Sequence, residues 1–145
     1  MPNRFRYIPH TADVAFFAYG KDFKEALENA GFAMFNLMFD IKAMRKAHGR
    51  TRRILLSESA QEKKDLVWYL LQRALSEVDA EGIRVLDFKM NNIVQKKGKY
   101  WGKCTLICKY TEEYLSKFDV KAVTPSELEV YERKNYCRIK VLLDV

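Results

Sequence analysis

The sequence predicts an α+β domain in which a mostly antiparallel sheet packs against two helices. Two stretches carry apolar residues at helical spacing, and from Ile83 onward apolar and polar residues alternate as they do in strands. A chain of 145 residues is long enough to build a hydrophobic core without disulfides. We therefore expect a single domain over residues 1–145.

The first third of the chain predicts two strands, a turn and a helix. Residues 4–8 and 14–19 alternate as strands, and the residues from His10 to Asp13 form a turn between them. Asp22 followed by Glu25 is typical of a helix N-terminus, and the helical spacing continues to about Phe39. Asp40 would then lie at the helix end that disfavours an acid, a weak indication of a cation or lysine partner. The basic stretch 42–53 is expected to be a loop.

The remainder predicts one more helix and a series of strands. Residues 52–56 form a strand, and Ser59 with Glu62 is a second N-terminal capping pattern for a helix that ends near Gly82. Strands follow over 83–90, 93–95 and 100–110. Residues 118–132 are extended, with Thr124-Pro125 marking an edge, bulge or break. On the last strand, 136–144, Asp144 lies opposite the apolar row.

Composition excludes several classes of protein. No apolar run approaches the roughly 18 residues of a membrane span, and the first residues carry no signal core. The odd number of cysteines, three, fits reduced thiols and a cytoplasmic location. Neither histidine has zinc-ligand spacing, and we find no phosphate-binding loop, no Gly-x-Ser-x-Gly elbow and no cysteine with an adjacent histidine. The sequence therefore predicts neither nucleotide hydrolysis nor nucleophilic catalysis.

Carboxylates near the two ends of the chain are the candidate metal ligands. Asp13 is the last residue of the predicted turn, and Asp144 stands beside the terminal carboxylate of Val145. If these groups meet, they repel one another unless a cation lies between them. Oxygen ligands suit calcium or magnesium rather than zinc. The alternative is that Asp13 only hydrogen-bonds the backbone of its turn.

The net charge of +7 indicates a polyanionic partner, or solubility alone. Two segments have the residue types that bind RNA: the basic set Lys42, Arg45, Lys46, Arg50, Arg52 and Arg53, and the aromatic set Tyr100, Trp101 and Lys103. The alternatives are that the basic set is a solvated loop and the aromatic set a half-buried hairpin. We expect no RNA binding of consequence by the basic set, which lacks interleaved aromatic residues.

Several motifs together resemble the archease family over the whole length of the chain. The most specific are His10-Thr11-Ala12-Asp13-Val14 and the final Leu143-Asp144-Val145. Further matches are Ala18-Tyr19-Gly20, Glu25-Ala26, Asn29-Ala30, Ala33-Met34-Phe35 and Val120-Lys121-Ala122-Val123-Thr124. Pro125-Ser126 stand where many members have a tyrosine, often followed by histidine, so no role is transferred to those positions.

The resemblance implies a compact two-layer sandwich and a non-catalytic protein cofactor of the RtcB-type tRNA-splicing RNA ligase. Such a cofactor promotes guanylylation and multiple turnover of the ligase and broadens its NTP specificity. Nucleotide and tRNA would be met only through the ligase. The resemblance also implies a metal ion on Asp13, Asp144 and Val145, often calcium, with magnesium or manganese as alternatives. Two other classes stay open: a basic RNA-binding module without a ligase partner, and a metal-dependent hydrolase, which lacks an evident general base.

Overall fold

The computed structural model describes residues 3–9, 13–110 and 116–145, which form seven strands and three helices. The sheets are antiparallel, with strand orders β1-β2-β7-β6 and β3-β5-β4, so the α+β, mostly antiparallel prediction is confirmed. The strands are β1 (Phe5–Ile8), β2 (Val14–Gly20), β3 (Arg50–Ala60), β4 (Arg84–Lys96), β5 (Lys99–Tyr110), β6 (Ala122–Arg133) and β7 (Tyr136–Asp144). The helices are α1 (Phe23–Met38), α2 (Ile41–Lys46) and α3 (Lys63–Glu81).

The two long helices form a layer against the two sheets. Helix α1 packs on β2 and β7 of the four-stranded sheet and on β4 of the other, whereas α3 packs on β6 and on β3 and β5. Both helices turn their apolar stripes inward, and the core between the layers contains fully buried Phe16, Phe35 and Phe88. Each helix therefore joins the two sheets into one core.

Helix α1 begins as its sequence predicts and approaches the sheet closely. The Asp22 side chain accepts a hydrogen bond from the Glu25 backbone N–H at 2.9 Å, and the Glu25 side chain accepts from the Lys21 N–H at 3.0 Å. A Cβ on Gly31 would lie 2.2 Å from the ring of Phe88. Only glycine fits between this helix and β4.

The expectation of two helices and a basic loop is wrong, because α2 occupies part of the basic stretch. Asp40 is its N-cap and accepts from the Ala43 N–H at 3.1 Å, so this acid lies at a favourable helix end. The buried Lys109 ammonium donates to the Met44 carbonyl at 2.8 Å, near the end of α2. A six-residue helix is too short to show a periodic pattern, which explains why the sequence analysis missed it.

Strand pairing also overrides the second predicted cap. Ser59 lies in β3, opposite Trp101, and Glu62 is the N-cap of α3 without a side-chain cap bond. The predicted Ser59 capping pattern is therefore wrong. The predicted end of the helix is confirmed, because Gly82 adopts a left-handed conformation (φ +63°) and its N–H bonds the Val78 carbonyl.

The later strands follow the predicted pattern with two refinements. Strand β4 is continuous, with irregular pairing between Val85 and Asp87 and between Met90 and Asn92, which explains the interrupted alternation. Strand β6 is an edge strand whose register shifts between Thr124 and Glu129, as expected of an edge or bulge. No helix in the described residues is long and apolar enough to cross a membrane.

Candidate metal site at the ends of β2 and β7

The two ends of the chain meet through the pairing of β2 with β7. Val14 lies opposite Leu143 at the last rung of this antiparallel ladder. Asp13 precedes Val14 and Asp144 follows Leu143, so both acids adjoin this last rung, with Asp13 in a bend just outside β2. The expected proximity of the strands that carry the two ends is therefore confirmed.

The side chains at this end differ in exposure in a way that suits ligand binding. Leu143 is buried, whereas Asp144 is exposed on the other face of β7, as the alternation predicts. Asp13 is half-buried, and Val145 packs its side chain against the core. Carboxylate oxygens at this end are thus accessible while the adjacent backbone is anchored.

Strand β6 supports the same end from the other side of β7. Ala122 lies opposite Asp144, and the Lys121 N–H donates to the Asp144 carbonyl at 2.8 Å. Helix α3 in turn holds β6 at Val123. The Trp68 indole N–H donates to the Val123 carbonyl at 2.6 Å, and the Gln72 side-chain oxygen accepts from the Val123 N–H at 2.9 Å. The free edge of β6 is therefore satisfied by α3 at this position.

The donor set fits a hard divalent cation. The predicted ligands, Asp13, Asp144 and Val145, would offer only oxygen, which is the chemistry of calcium and magnesium sites. Among the described residues, no three side chains of His, Cys, Asp and Glu converge. Metal binding by Asp13, Asp144 and Val145 stays a prediction, and the His10-Thr11-Ala12 part of the motif lies outside the described residues.

The two basic segments do not form the surfaces that their sequences suggest. Residues 42–53 are divided between α2 and β3, and Arg52 donates to the Tyr110 hydroxyl at 2.7 Å and lies 3.6 Å from Glu81. Tyr100 is half-buried against the core, whereas neighbouring Trp101 is exposed on the opposite face with the Lys96 ammonium 5.7 Å from its ring centroid. Tyr100 and Trp101 therefore do not share one stacking platform.

A second cluster, which we call the arginine–aromatic face, is brought together only by the strand pairing and is not evident from the sequence. It lies on the outer face of the four-stranded sheet, away from the helices. Its sequence signal is the period-two recurrence of aromatic and basic residues on strands that turn out to be neighbours. The face comprises Arg6 of β1, Phe17 and Tyr19 of β2, Tyr131 and Arg133 of β6, and Tyr136, Arg138 and Lys140 of β7.

The three cysteines are buried thiols without disulfides. Burial raises the pKa of Cys104 and Cys137 to about 12 and that of Cys108 to about 11. At neutral pH these thiols are protonated and poor nucleophiles. They act as small apolar side chains in the core.

Comparisons with known proteins give one consistent answer. The sequence model described as "Archease protein family (MTH1598/TM1083)" matches residues 5–145. The chain is 34% identical over 145 residues to the protein archease of Methanosarcina barkeri, covering 98% of this chain and 96% of the relative. It is 28% identical over 141 residues to that of Methanothermobacter thermautotrophicus, covering 97% and 98%.

Solved structures agree with the sequence matches. The solution structure of Methanobacterium thermoautotrophicum protein 1598 superposes with a TM-score of 0.79 at 27% identity, covering 98% of this chain and 99% of that one. The crystal structure of a Thermotoga maritima archease, described as a possible chaperone, has a TM-score of 0.58 at 19% identity with 95% and 94% coverage, and shows the shared fold. The protein described here belongs to the archease family.

Proposed function

We propose that this protein is a non-catalytic activator of an RtcB-type tRNA-splicing RNA ligase. In this role it promotes guanylylation of the ligase, restores multiple turnover and broadens the NTPs that the ligase accepts. Family membership supports the proposal, and the observation that carries it is the pairing of β2 with β7, whose last rung, Val14 with Leu143, adjoins both Asp13 and Asp144. We expect this activity in the cytoplasm, since the three cysteines are free thiols.

The proposed metal ligands lie at the end of the β2–β7 ladder next to Asp13 and Asp144, which we call the acidic end. Asp13, Asp144 and Val145 would bind one divalent cation, calcium or, as alternatives, magnesium or manganese. When bound, such a cation supplies positive charge that neutralises phosphate oxygens of a nucleotide. Strand β7 is flanked by β2 and β6, and α3 holds β6 through Val123, so the backbone that carries Asp144 is supported on both sides.

A metal with a purely structural role is the alternative within this proposal. It would tie Val145 to the Asp13 segment, and activation would come from surface complementarity with the ligase. The exposure of Asp144 favours direct docking instead, because a carboxylate buried by its own chain would better serve a structural tie. In the docking mode this end enters the nucleotide site of the ligase and orients a metal or phosphate there.

The test is nucleotide loading of a stalled ligase. Purified ligase, radiolabelled GTP and divalent metal are mixed with or without this protein, and the covalent ligase–GMP adduct is quantified without RNA. The wild-type protein should accelerate adduct formation, and Asp144→Asn or Asp13→Asn should slow it by about tenfold or more, as loss of a metal ligand does. No acceleration by the wild type, or full acceleration by both variants, contradicts the proposal.

Asp65→Asn is the matched control. Asp65 is exposed in the first turn of α3, two residues from Lys63, whose ammonium lies 2.9 Å from a Glu132 oxygen at the far end of β6. The control makes the same chemical change on an exposed carboxylate that is not a proposed metal ligand. Its adduct rate should equal that of the wild type.

A further inference from the structure

The arginine–aromatic face is built from two cross-strand rows. One row runs from Arg6 through Phe17 and Lys140 to Glu129, and the next runs from Tyr19 through Arg138 to Tyr131. The residues between them on β2 and β7 are buried in the core on the helix side, so the rows project away from the helices. Ala18 and Ile139 lie between the two rows, Phe16 and Val141 flank them, and all four are buried.

Arg138 is the centre of this face. Its guanidinium carbon lies 4.9 Å from the ring centroid of Phe17 and 5.1 Å from that of Tyr131, which joins three strands in one contact. Arg6 lies 5.7 Å from the Phe17 ring, and Arg133 lies 5.3 Å from the Tyr131 ring. Rings and guanidinium planes therefore alternate across the sheet at cation–π distances.

The charge of the face is predominantly positive. Arg6, Arg133, Arg138 and Lys140 contribute cations, whereas exposed Glu129 lies opposite Lys140 and Glu127 forms an ion pair with Lys140 at 3.2 Å, so the three arginines carry the positive charge of the face. Within the described residues, no carboxylate forms an ion pair with any of the three arginines. Phosphate groups would complement these arginines, each of which can bind an anion bidentately.

The aromatic residues distinguish this face from an ordinary basic surface. Tyr131 is 39% exposed, and Phe17, Tyr19 and Tyr136 are half-buried. Open four-stranded antiparallel sheets with exposed aromatic residues stack unpaired bases, and arginine planes stack bases as well. An acidic peptide would use the cations but would leave the rings without partners of matching shape.

We propose that the arginine–aromatic face binds single-stranded RNA. Bases stack on Phe17, Tyr131 and the Arg138 guanidinium plane, and the phosphates pair with Arg6, Arg133 and Lys140. The inference goes beyond the proposed function and does not rest on it. It differs from the expectation that RNA is met only through the ligase, and it moves RNA contact away from the basic stretch 42–53.

Direct binding to RNA tests the proposal. The full chain is titrated into a fluorescein-labelled single-stranded oligouridine of about eight nucleotides, and anisotropy is followed at several salt concentrations. With about three phosphates contacted, log affinity should fall against log salt with a slope of about −2. No binding at about 50 mM salt overturns the proposal, because electrostatic affinity is greatest at low salt.

Two pairs of variants distinguish side chains that bind RNA from side chains that only stabilise the sheet. Tyr131→Leu should weaken binding by about five- to tenfold through lost stacking, whereas Tyr131→Phe, which keeps the ring, should bind as the wild type does. Arg6→Gln should reduce the salt slope by about 0.7 because one phosphate contact is lost, whereas Arg138→Gln should weaken binding through lost stacking and keep the slope. Circular dichroism and thermal melting monitor folding of each variant.

A control variant in the basic stretch 42–53 and a competing acidic peptide test two alternatives, namely that RNA binds the basic stretch or that the face binds an acidic peptide. Arg53→Gln, an exposed charge change on β3, should leave both affinity and slope unchanged. Loss of RNA binding in Arg53→Gln but not in Arg138→Gln would assign RNA to the basic stretch and overturn the proposal. An oligo-aspartate peptide of equal charge that competes as well as unlabelled RNA would overturn it in favour of an acidic peptide. The adduct assay contains no RNA, so failure here is distinct from failure of the proposed function.

Discussion

The two ends of the four-stranded sheet carry opposite chemistry on the same strands. At one end of the β2–β7 ladder Val14 pairs with Leu143, beside Asp13 and Asp144; near the other end Tyr19 pairs with Arg138. Five residues separate these rungs, which is about 17 Å along a strand. This separation exceeds the Debye length of about 8 Å at physiological salt, so the acidic and basic ends do not neutralise each other.

One sheet therefore carries two surfaces that depend on different residues and different contacts. The acidic end depends on residues at chain ends, and its geometry comes from the pairing of β2 with β7 and from the hold of α3 on β6. The arginine–aromatic face depends on alternate positions in the middle of strands, where the pleat already directs side chains away from the core. Changes at one end should therefore leave the other end intact.

The largest expected effect is a complete separation of metal binding from RNA binding. The double variant Asp13→Asn/Asp144→Asn should lose about 100-fold or more in calcium affinity, measured by isothermal titration calorimetry, because it lacks two anionic ligands. Its affinity for the oligouridine should match that of the wild type, and Asp65→Asn should change neither. A parallel loss of metal and RNA binding would show that the two ends are not independent.

The second-largest effect is expected from loss of the hydrogen bond by which Trp68 of α3 holds β6 at Val123. Trp68→Phe removes the indole N–H and leaves the Val123 carbonyl without its 2.6 Å bond, which should lower the free energy of unfolding by about 1–3 kcal/mol. Calcium affinity should fall with it, because β6 supports β7 beside Asp144. Urea denaturation measures the stability, and Tyr69→Phe, which alters an exposed neighbour, is the control. If the Trp68→Phe protein is destabilised but keeps its calcium affinity, the hydrogen bond from Trp68 to Val123 does not support metal binding at the acidic end.

A fusion beyond Val145 should act on the acidic end alone. A folded domain attached there converts the terminal carboxylate into an amide and crowds Asp144, so adduct formation should slow by about tenfold. Urea denaturation and RNA affinity should be unchanged. The same domain placed before Met1 is the control, since β1 begins at Phe5, opposite Ala18. Full activation by the C-terminal fusion would remove Val145 from the proposed ligand set.

The smallest expected effect is an alkaline loss of stability beneath the arginine–aromatic face. Cys137 is opposite Gly20, and burial raises its pKa to about 12 from an ordinary value near 9. Above about pH 9 the unfolded chain releases this proton while the folded chain keeps it, so the free energy of unfolding falls as pH rises. Below pH 9 the contribution is fully present.

Cys137→Ala should therefore reduce the slope of stability against pH between about 9 and 11, measured by urea denaturation at each pH. Cys104→Ala, in the other sheet, should reduce the slope in the same direction because burial also raises its pKa to about 12. If Cys137→Ala leaves the slope of stability against pH unchanged, the Cys137 thiol does not stay protonated in the folded protein.

Local errors in the sequence analysis arise where tertiary contacts compete with short patterns. Asp40 was expected at an unfavourable helix end, yet it caps α2, a helix whose final turn is bonded by Lys109 from 65 positions away in the sequence. Ser59 has the residue type of an N-cap, but its pairing with Trp101 extends β3 instead. At Ser59 the long-range pairing with Trp101 decides the outcome, whereas α2 is missed because six residues are too few to show a helical period.

The sequence by itself determined the period of each long element, the burial of the apolar rows and the oxygen chemistry at the two chain ends. These properties follow from residue type and from spacings of two or 3.6 residues, which are local. Only the tertiary structure decided that β7 lies between β2 and β6, which brings Asp144 beside Asp13 and sets Arg138 between Phe17 and Tyr131. The order of strands in a sheet depends on how distant segments pack into one core, and alternation along a single strand does not specify its neighbours.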